Sequence, residues 1–579
     1  MCGIFGFFSF RSEDRKNFED RMQIMLRALK HRGPDDDGYY INDHVGLGNT
    51  RLAILGIEEG HQPMFSEDKS VVVVQNGEIY NYIELQNDVG KCKTNCDTEI
   101  ILKLYEKYGP SFVSKLNGMF AIALYDKRID TLFLYRDRIG VKPLYIHNNG
   151  NALFFASEIK PILHINGNFK VNYSALNSLL TFNYVLPPET IYKGILHLMP
   201  GYYCSIKRDN QVSFFQWWNL ADIELNENLQ EKDQIALFQD LLKDAVRLRL
   251  RSDVPCGAFL SGGIDSSSVV AYMSQINQNP IKTFSIGFND KRFDETVYIE
   301  EAVKRFGTVS HLQRQDYDIE KDWNCVIHHC EQPHGDVSFI PTLLVSKLAQ
   351  ENNVKVILTG DGGDELFGGY EKYLKILSGH DFLSEFSVFK DEDKKILTLN
   401  KVEDDFLHFI TQNHFEKFKK QDRINQILAF DTLYLLPGNN LVKPDRMGMA
   451  VGVETRSPFL DYRMVELAFN INGKYKLKNQ TTKYIYKKAI ESLIGKNLTY
   501  RKKQMFTVPI GEWFKSSLKS FAYELLNEKN SFISEIFNLE FVNKIFQLHC
   551  NGQINYTREI RLLLAIQIWW KQFGMFCNL

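Results

Sequence analysis

The chain lacks any apolar run long enough to cross a bilayer. Residues 562–570 come nearest, and Gln567 interrupts them well short of the roughly 20 residues a span needs. It also lacks a leader pattern: MCGIFGFF has no basic residue before it, is too short, and runs straight into RSEDRK. Charge of one sign is missing, with a net −2 at neutral pH and a pI near 6.7. That balance leaves no electrostatic footprint for nucleic acid or a membrane surface. Cysteine is sparse, nine in 579 residues and odd in number, which excludes a disulfide framework. Cys92 and Cys96 have no second pair to complete a zinc site, and nothing completes CVIHHC at 325–330. Reduced thiols and a cytoplasmic setting are expected. Repeats and low-complexity segments are absent as well.

What is present is an ordinary globular composition, 44% hydrophobic and 24% charged, over a length that calls for two or more domains. The first 200 or so residues read as short strands, among them 71–75, 120–126 and 131–137, with only two helical stretches, near 15–30 and 97–107. That is an α+β domain rich in antiparallel sheet. The polar stretch ADIELNENLQEKDQ (221–234) has linker composition. After it, helix-like stretches alternate with buried-strand patterns at 257–260, 282–288 and 354–360, the mark of a parallel α/β sheet. Beyond about 400 the pattern is mostly helical, and 378–425 carries no readable motif.

The sharpest motif is SGGIDSS (261–267), set between a strand and a helix. Glycines let backbone N–H groups approach an anion, and a helix start turns its positive end towards it. The loop is not a Walker A sequence, since the lysine is missing. Alone it reads equally as a tight turn capped by Asp265 and Ser266. A second glycine-rich acidic loop, TGDGGDE (359–365), follows another strand pattern. In an open parallel sheet, ligands bind beyond the carboxyl ends of strands. Two such loops fit a magnesium nucleotide, with Asp265 and Asp364 as hard oxygen ligands.

SGGIDSS resembles the pyrophosphate loop of the ATP-pyrophosphatase family. With TGDGGDELFGGYEKY (359–373), DRMGMAVGVETRSPFLD (445–461) and RKKQMF (501–506), the chain resembles the glutamine-hydrolysing asparagine synthetases. The resemblance implies an Ntn-hydrolase-like α/β/β/α sandwich over residues 2–220. An α/β parallel-sheet ATP-pyrophosphatase domain with a helical C-terminal part would follow over 235–579. It implies ATP and Mg2+, with Ser261, Gly262, Gly263, Asp265 and Ser266 on the pyrophosphate and Asp265 and Asp364 on magnesium. Leu260, Ile286 and Gly360 would meet the adenosine, Lys503 would stabilise charge at the α-phosphate, and Asp361 would lie near acceptor and ammonia. A homodimer is the family expectation.

The same resemblance explains a cysteine at residue 2. CGIFG resembles the start of class II glutamine amidotransferase domains, whose N-terminal cysteine attacks the glutamine amide once Met1 is removed. The thiol and α-amine have reference pKa values of about 8.5 and about 7.7–8, so the amine can act as base. Arg51, Asn76, Gly77, Glu78 and Asp97 are implied around the glutamine, Asn76 and Gly77 as an oxyanion hole. Taken singly, Asn76-Gly77 reads as a hairpin turn and Asp97 as a helix cap. The implied reaction converts glutamine, aspartate and ATP to asparagine, glutamate, AMP and pyrophosphate, with ammonia crossing an internal tunnel.

Three departures bear on the acceptor. Asp361 stands where well-known members have glutamate, Gly438 or Asn439 where many have an acidic residue, and Gly448 where they have serine. Another carboxylate, such as a sugar acid, is therefore the alternative acceptor. A β-lactam-forming relative is disfavoured by intact Cys2, Arg51 and Asn76, and a non-catalytic one by SGGIDSS, Asp364 and Lys503.

Overall fold

The structure, a computed structural model, describes residues 2–11, 14–287, 294–314, 318–399, 401–402, 405–502 and 510–578. Met1 and Lys503 lie outside the described residues.

The N-terminal half contains β1 (Cys2–Ser9), β2 (Asp36–Ile41), β3 (Val45–Arg51), β4 (Met64–Phe65), β5 (Val71–Ile79), β6 (Gly118–Asp126), β7 (Thr131–Arg136), β8 (Tyr145–Asn148), β9 (Ala152–Ala156), β10 (Phe169–Lys170), β11 (Ile195–His197), β12 (Tyr202–Lys207) and β13 (Val212–Gln216). Two sheets result, ordered β11-β8-β9-β1-β3-β2 and β13-β12-β7-β6-β5-β4, with antiparallel neighbours throughout, β1 with β3 and β5 with β6 among them. A period of two organises the layers. Ile4 and Phe8 of β1 face Val72 and Val74 of β5 between the sheets. Phe5 and Phe7 turn outward to Met22, Met25 and Leu29 of the helix Arg15–Leu29. Val71 and Val73 turn to Ile100, Ile101 and Leu104 of the helix Thr98–Tyr108. The half is an α/β/β/α sandwich.

Three further helices escaped the sequence reading: Tyr82–Val89, Lys160–Asn166 and Tyr173–Phe182. Each lacks a one-sided apolar stripe. The first buries no residue fully, the second is a short piece with Pro161 in its first turn, and the third is buried on every side from Ala175 onward. The helix Glu231–Arg249 also starts inside the stretch that reads as a linker. Its first turn carries Glu231 and Asp233, acidic residues that suit a helix's positive end and give it linker-like polarity.

The second half holds a parallel sheet ordered β16-β15-β14-β17-β18, built from β14 (Cys256–Phe259), β15 (Lys282–Gly287), β16 (Val309–Arg314), β17 (Val356–Leu358) and β18 (Glu454–Arg456). In β17, Ile357 packs into one apolar cluster and Val356 and Leu358 into another. Both faces are thus covered, as a parallel sheet requires. Residues 378–425 contribute the helices Phe382–Phe386, Asp391–Leu397 and Asp405–Lys417 and the start of Arg423–Phe430.

One apolar cluster runs across both halves, joining Phe5, Met22 and Leu179 to Phe284, Leu343 and Trp569. Trp569 donates its indole N–H to the Tyr192 hydroxyl at 2.9 Å and to the Glu331 carbonyl at 3.1 Å. The strand β19 (Cys577–Asn578) then pairs in parallel with β10, bringing the last described residues back to the first half. All nine cysteines carry free thiols. Among the described residues no helix is long and apolar enough to cross a membrane.

Candidate active sites

Strand register assembles the first site. Cys2 lies directly across the β1–β3 ladder from Arg51. Its backbone nitrogen, the one that becomes the α-amine when residue 2 is the terminus, donates to Asn76 Oδ1 at 3.1 Å. Burial pushes the Cys2 thiol pKa up, and the Asn49 side chain, the Leu52 N–H and Arg51 offset part of that rise. Arg51 is held by the carbonyls of Leu55, Gly56 and Ile57 at 2.8–3.1 Å. Asn76 and Gly77 are no hairpin turn: they sit within β5, paired with Ala121 and Phe120. Gly77 has φ +136°, and a Cβ there would lie 1.9 Å from the Met119 carbonyl oxygen, so only glycine fits.

Asp97 precedes the helix Thr98–Tyr108 but makes no side-chain cap. Its Oδ2 instead accepts from the Ile79 N–H at 2.7 Å and from Gln75 Nε2 at 3.0 Å, turning the carboxylate towards β5. Burial raises its pKa. Glu78 is raised well above the usual carboxylate range by burial and then by the neighbouring Glu454. Its Oε1 pairs with Arg456 of β18 at 3.4 Å. Glu78 Oε2 and Gln75 Oε1 are buried acceptors without a hydrogen-bond partner among the described residues.

The second site lies at strand ends. The loop from Ser261 to Gly263 leads from β14 into the helix Ile264–Ile276. The Ser261 N–H and Oγ both lie 3.2 Å from Ser266 Oγ, and the Gly263 N–H donates to Ser261 Oγ at 3.3 Å. Gly262, at φ +66°, packs where a Cβ would lie 2.7 Å from the Tyr298 backbone. Leu260 and Ile286 are buried beside it, the Leu260 N–H donating to the Phe284 carbonyl at 3.0 Å. The second glycine loop packs against the first: a Cβ on Gly360 would lie 2.6 Å from that of Asp265.

Asp265 and Asp364 both reach one ammonium. Lys483 Nζ lies 2.6 Å from Asp265 Oδ1 and 2.7 Å from Asp364 Oδ1, and it is almost completely buried. Sequence reading missed Lys483, because its stretch TTKYIYKK carries no spacing signal. Asp361 accepts from Thr359 Oγ1 at 2.7 Å, its pKa raised by burial against the pull of Lys443. Glu365 accepts from Asn440 Nδ2 at 2.6 Å and from the Tyr370 hydroxyl at 2.5 Å, and burial with the nearby Asp364 raises it to about 7.

The three departures have local partners. A Cβ on Gly438 would lie 2.7 Å from the Tyr184 ring, and one on Gly448 2.5 Å from the Val453 carbonyl oxygen. Asn439 Nδ2 donates to Asp336 Oδ2 at 3.3 Å, so an acidic group is still present, supplied by another segment.

Buried ions join the first site to the second half. Arg32, fully buried, donates Nε to the Cys2 carbonyl at 3.2 Å and its terminal nitrogens to Asp445 at 2.9 and 3.1 Å. It also reaches Glu158 at 2.9 Å. Arg446 spans Glu158 at 2.7 Å and Glu331 at 3.1 Å. Arg32 and Asp445 hold each other charged against burial. Nothing in the local sequence around Arg32 points to a partner more than 400 positions away.

A family model described as asparagine synthase matches residues 237–571, and a glutamine amidotransferase domain model matches 1–218. The chain belongs to the asparagine synthase family. Membership makes it an ATP-dependent ligase with glutamine as nitrogen source. It is 30% identical to glutamine-hydrolysing asparagine synthetase 1 of Bacillus subtilis, over 98% of this chain and 96% of that one. With asparagine synthetase 3 of the same species, identity is 30% over 99% of each chain. With asparagine synthetase B of Escherichia coli it is 27%, over 91% of this chain and 86% of that one.

Proposed function

We propose that the chain makes asparagine from aspartate, using ammonia released at Cys2 and ATP bound beside SGGIDSS. The observation that carries this reading is Arg32, which hydrogen-bonds the Cys2 carbonyl and the synthetase-side Asp445 at once. The glutaminase function belongs to residues 2–220 and the synthetase function to 235–579.

At the first site the Cys2 thiolate attacks the glutamine amide carbon, and the α-amine of residue 2 takes the thiol proton. The Asn76 side chain and the Gly77 N–H stabilise the oxyanion. Ammonia leaves, and water hydrolyses the thioester to glutamate. Arg51 holds the substrate carboxylate. The substrate ammonium lies against Glu78 and Asp97, and Glu78 Oε2, which has no hydrogen-bond partner among the described residues, fits that role.

At the second site the aspartate β-carboxylate attacks the α-phosphate and pyrophosphate leaves. Ammonia then displaces AMP from the acyl-adenylate. Lys503 stabilises charge at the α-phosphate, and Asp361 stands on the acceptor side. Asp265 and Asp364 both turn to the Lys483 ammonium, and their carboxylate oxygens are the hard donors that magnesium would take beside it. Bound magnesium would neutralise phosphate charge there. Ammonia at neutral pH is mostly ammonium, so a closed passage between the sites keeps it nucleophilic.

The test uses protein with a verified free Cys2 terminus, supplied with glutamine, Mg-ATP and aspartate. Equal yields of asparagine, AMP and pyrophosphate are expected. Glutamate release without AMP would reject aspartate and turn the search to sugar acids, the acceptor class that Gly438 and Asn439 leave open.

A further inference from the structure

The pyrophosphate loop has a neighbour that neither strand spacing nor the acidic pair accounts for. Arg501 opens the basic run RKK, yet its side chain is only 6% exposed. Three contacts fix it. Nη2 donates to Glu295 Oε1 at 2.6 Å and to the Ser261 carbonyl at 3.4 Å, and the guanidinium lies 4.6 Å from the centre of the Tyr298 ring. Tyr298 is the residue whose backbone closes over Gly262. The guanidinium therefore lies over the loop itself, with Nη2 3.5 Å from where a Cβ on Gly263 would be. The remaining terminal nitrogen, Nη1, is buried and has no hydrogen-bond partner among the described residues. A buried N–H donor left unpaired is costly, more so on a cation.

Glu295 and Ser261 thus engage one terminal nitrogen and leave the other unused. The guanidinium borders Gly263, which precedes the helix Ile264–Ile276, and the N–H groups at that helix start favour an anion. We propose that Arg501 binds the pyrophosphate leaving group, with Nη1 donating to a phosphate oxygen while Glu295 and Tyr298 hold the guanidinium in place. This rests on the pyrophosphate-loop reading. The planar fork is suited to phosphate, and it supplies a cation on the opposite side from Asp265 and Asp364 in chemical sense: positive charge for the leaving group, where they supply oxygens.

The test is calorimetric titration of the full chain with magnesium pyrophosphate, with melting temperatures recorded alongside. Arg501→Gln is expected to weaken binding about tenfold or more, and Arg501→Lys less, since it keeps charge but loses the fork. Glu295→Gln, which leaves the cation in place, is expected to change affinity by no more than about threefold. If Arg501→Gln melts early, the Arg501→Lys and Glu295→Gln titrations decide. Unchanged affinity in Arg501→Gln, or equal losses in all three variants, would overturn the arginine assignment alone. An unmutated chain that binds no magnesium pyrophosphate would overturn the loop reading as well.

Discussion

The two sites are assembled in different ways. The first draws Cys2, Arg51, Asn76, Gly77, Glu78 and Asp97 from the opening hundred residues and fixes them largely by strand register. The second gathers Ser261, Asp364, Lys483 and Arg501 from loops and helix ends spread over 240 positions, held by ion pairs. A register-built site is as rigid as its sheet. A site of strand-end loops can accommodate a nucleotide, at the cost of depending on charges that are far apart in sequence. Arg32 with its carboxylates and the Glu78–Arg456 pair are among the buried charges that tie the two halves together.

The strongest way to break this contrast is Cys2→Ser. Glutamine-driven synthesis should fall by about 10^3-fold or more, while synthesis from added ammonium salt persists. Equal loss of both would show that the second site depends on the first for more than ammonia. Next comes Arg32→Met, which strips Asp445 and Glu158 of a buried partner. A loss of about 3–5 kcal/mol is expected, read as a marked drop in melting temperature with both activities falling together. If only glutaminase activity fell, Arg32 would belong to one site.

Gly77→Ala sharpens the rigidity side of the comparison. Its Cβ would meet the Met119 carbonyl in a backbone conformation that alanine resists, a strain of about 1–3 kcal/mol. Glutamine hydrolysis should collapse while ATP–pyrophosphate exchange survives. The smallest effect concerns pH. Glu365 is raised from 4.5 to about 7, so its folded form holds a proton that the unfolded chain has released over that interval. Its contribution to stability is full below about 4.5 and is lost as pH rises through about 7. Melting temperatures across that range should show a slope that Glu365→Gln flattens; an unchanged slope would assign it to another group.

The sequence was legible where one residue's neighbours decide its state. β5, β6 and β7 fall within a few positions of the patterns read for them, because alternating burial writes itself into the chain. Asn76-Gly77 and Asp97 were ambiguous because a turn, a cap and a site residue share the same residue types. Only the β6 pairing and the Ile79 N–H separate those readings. Lys483, Glu295 and Arg32 stayed invisible for another reason: each gets its role from a partner more than 200 positions distant. Lone charges in polar surroundings look like solvated surface until the fold pairs them.

The pairing of β19 with β10 also has a consequence in time. About 400 residues separate these strands, and a ribosome takes roughly 20 to 80 s to make them. The first sandwich has its own core between two sheets and can fold while its neighbour is still being made. Its junction with the second half, sealed by Trp569 and β19, forms only after those residues have been made. Each newborn molecule therefore passes through a stage in which the half matching the glutamine amidotransferase model has its own core and the half matching the asparagine synthase model is unfinished.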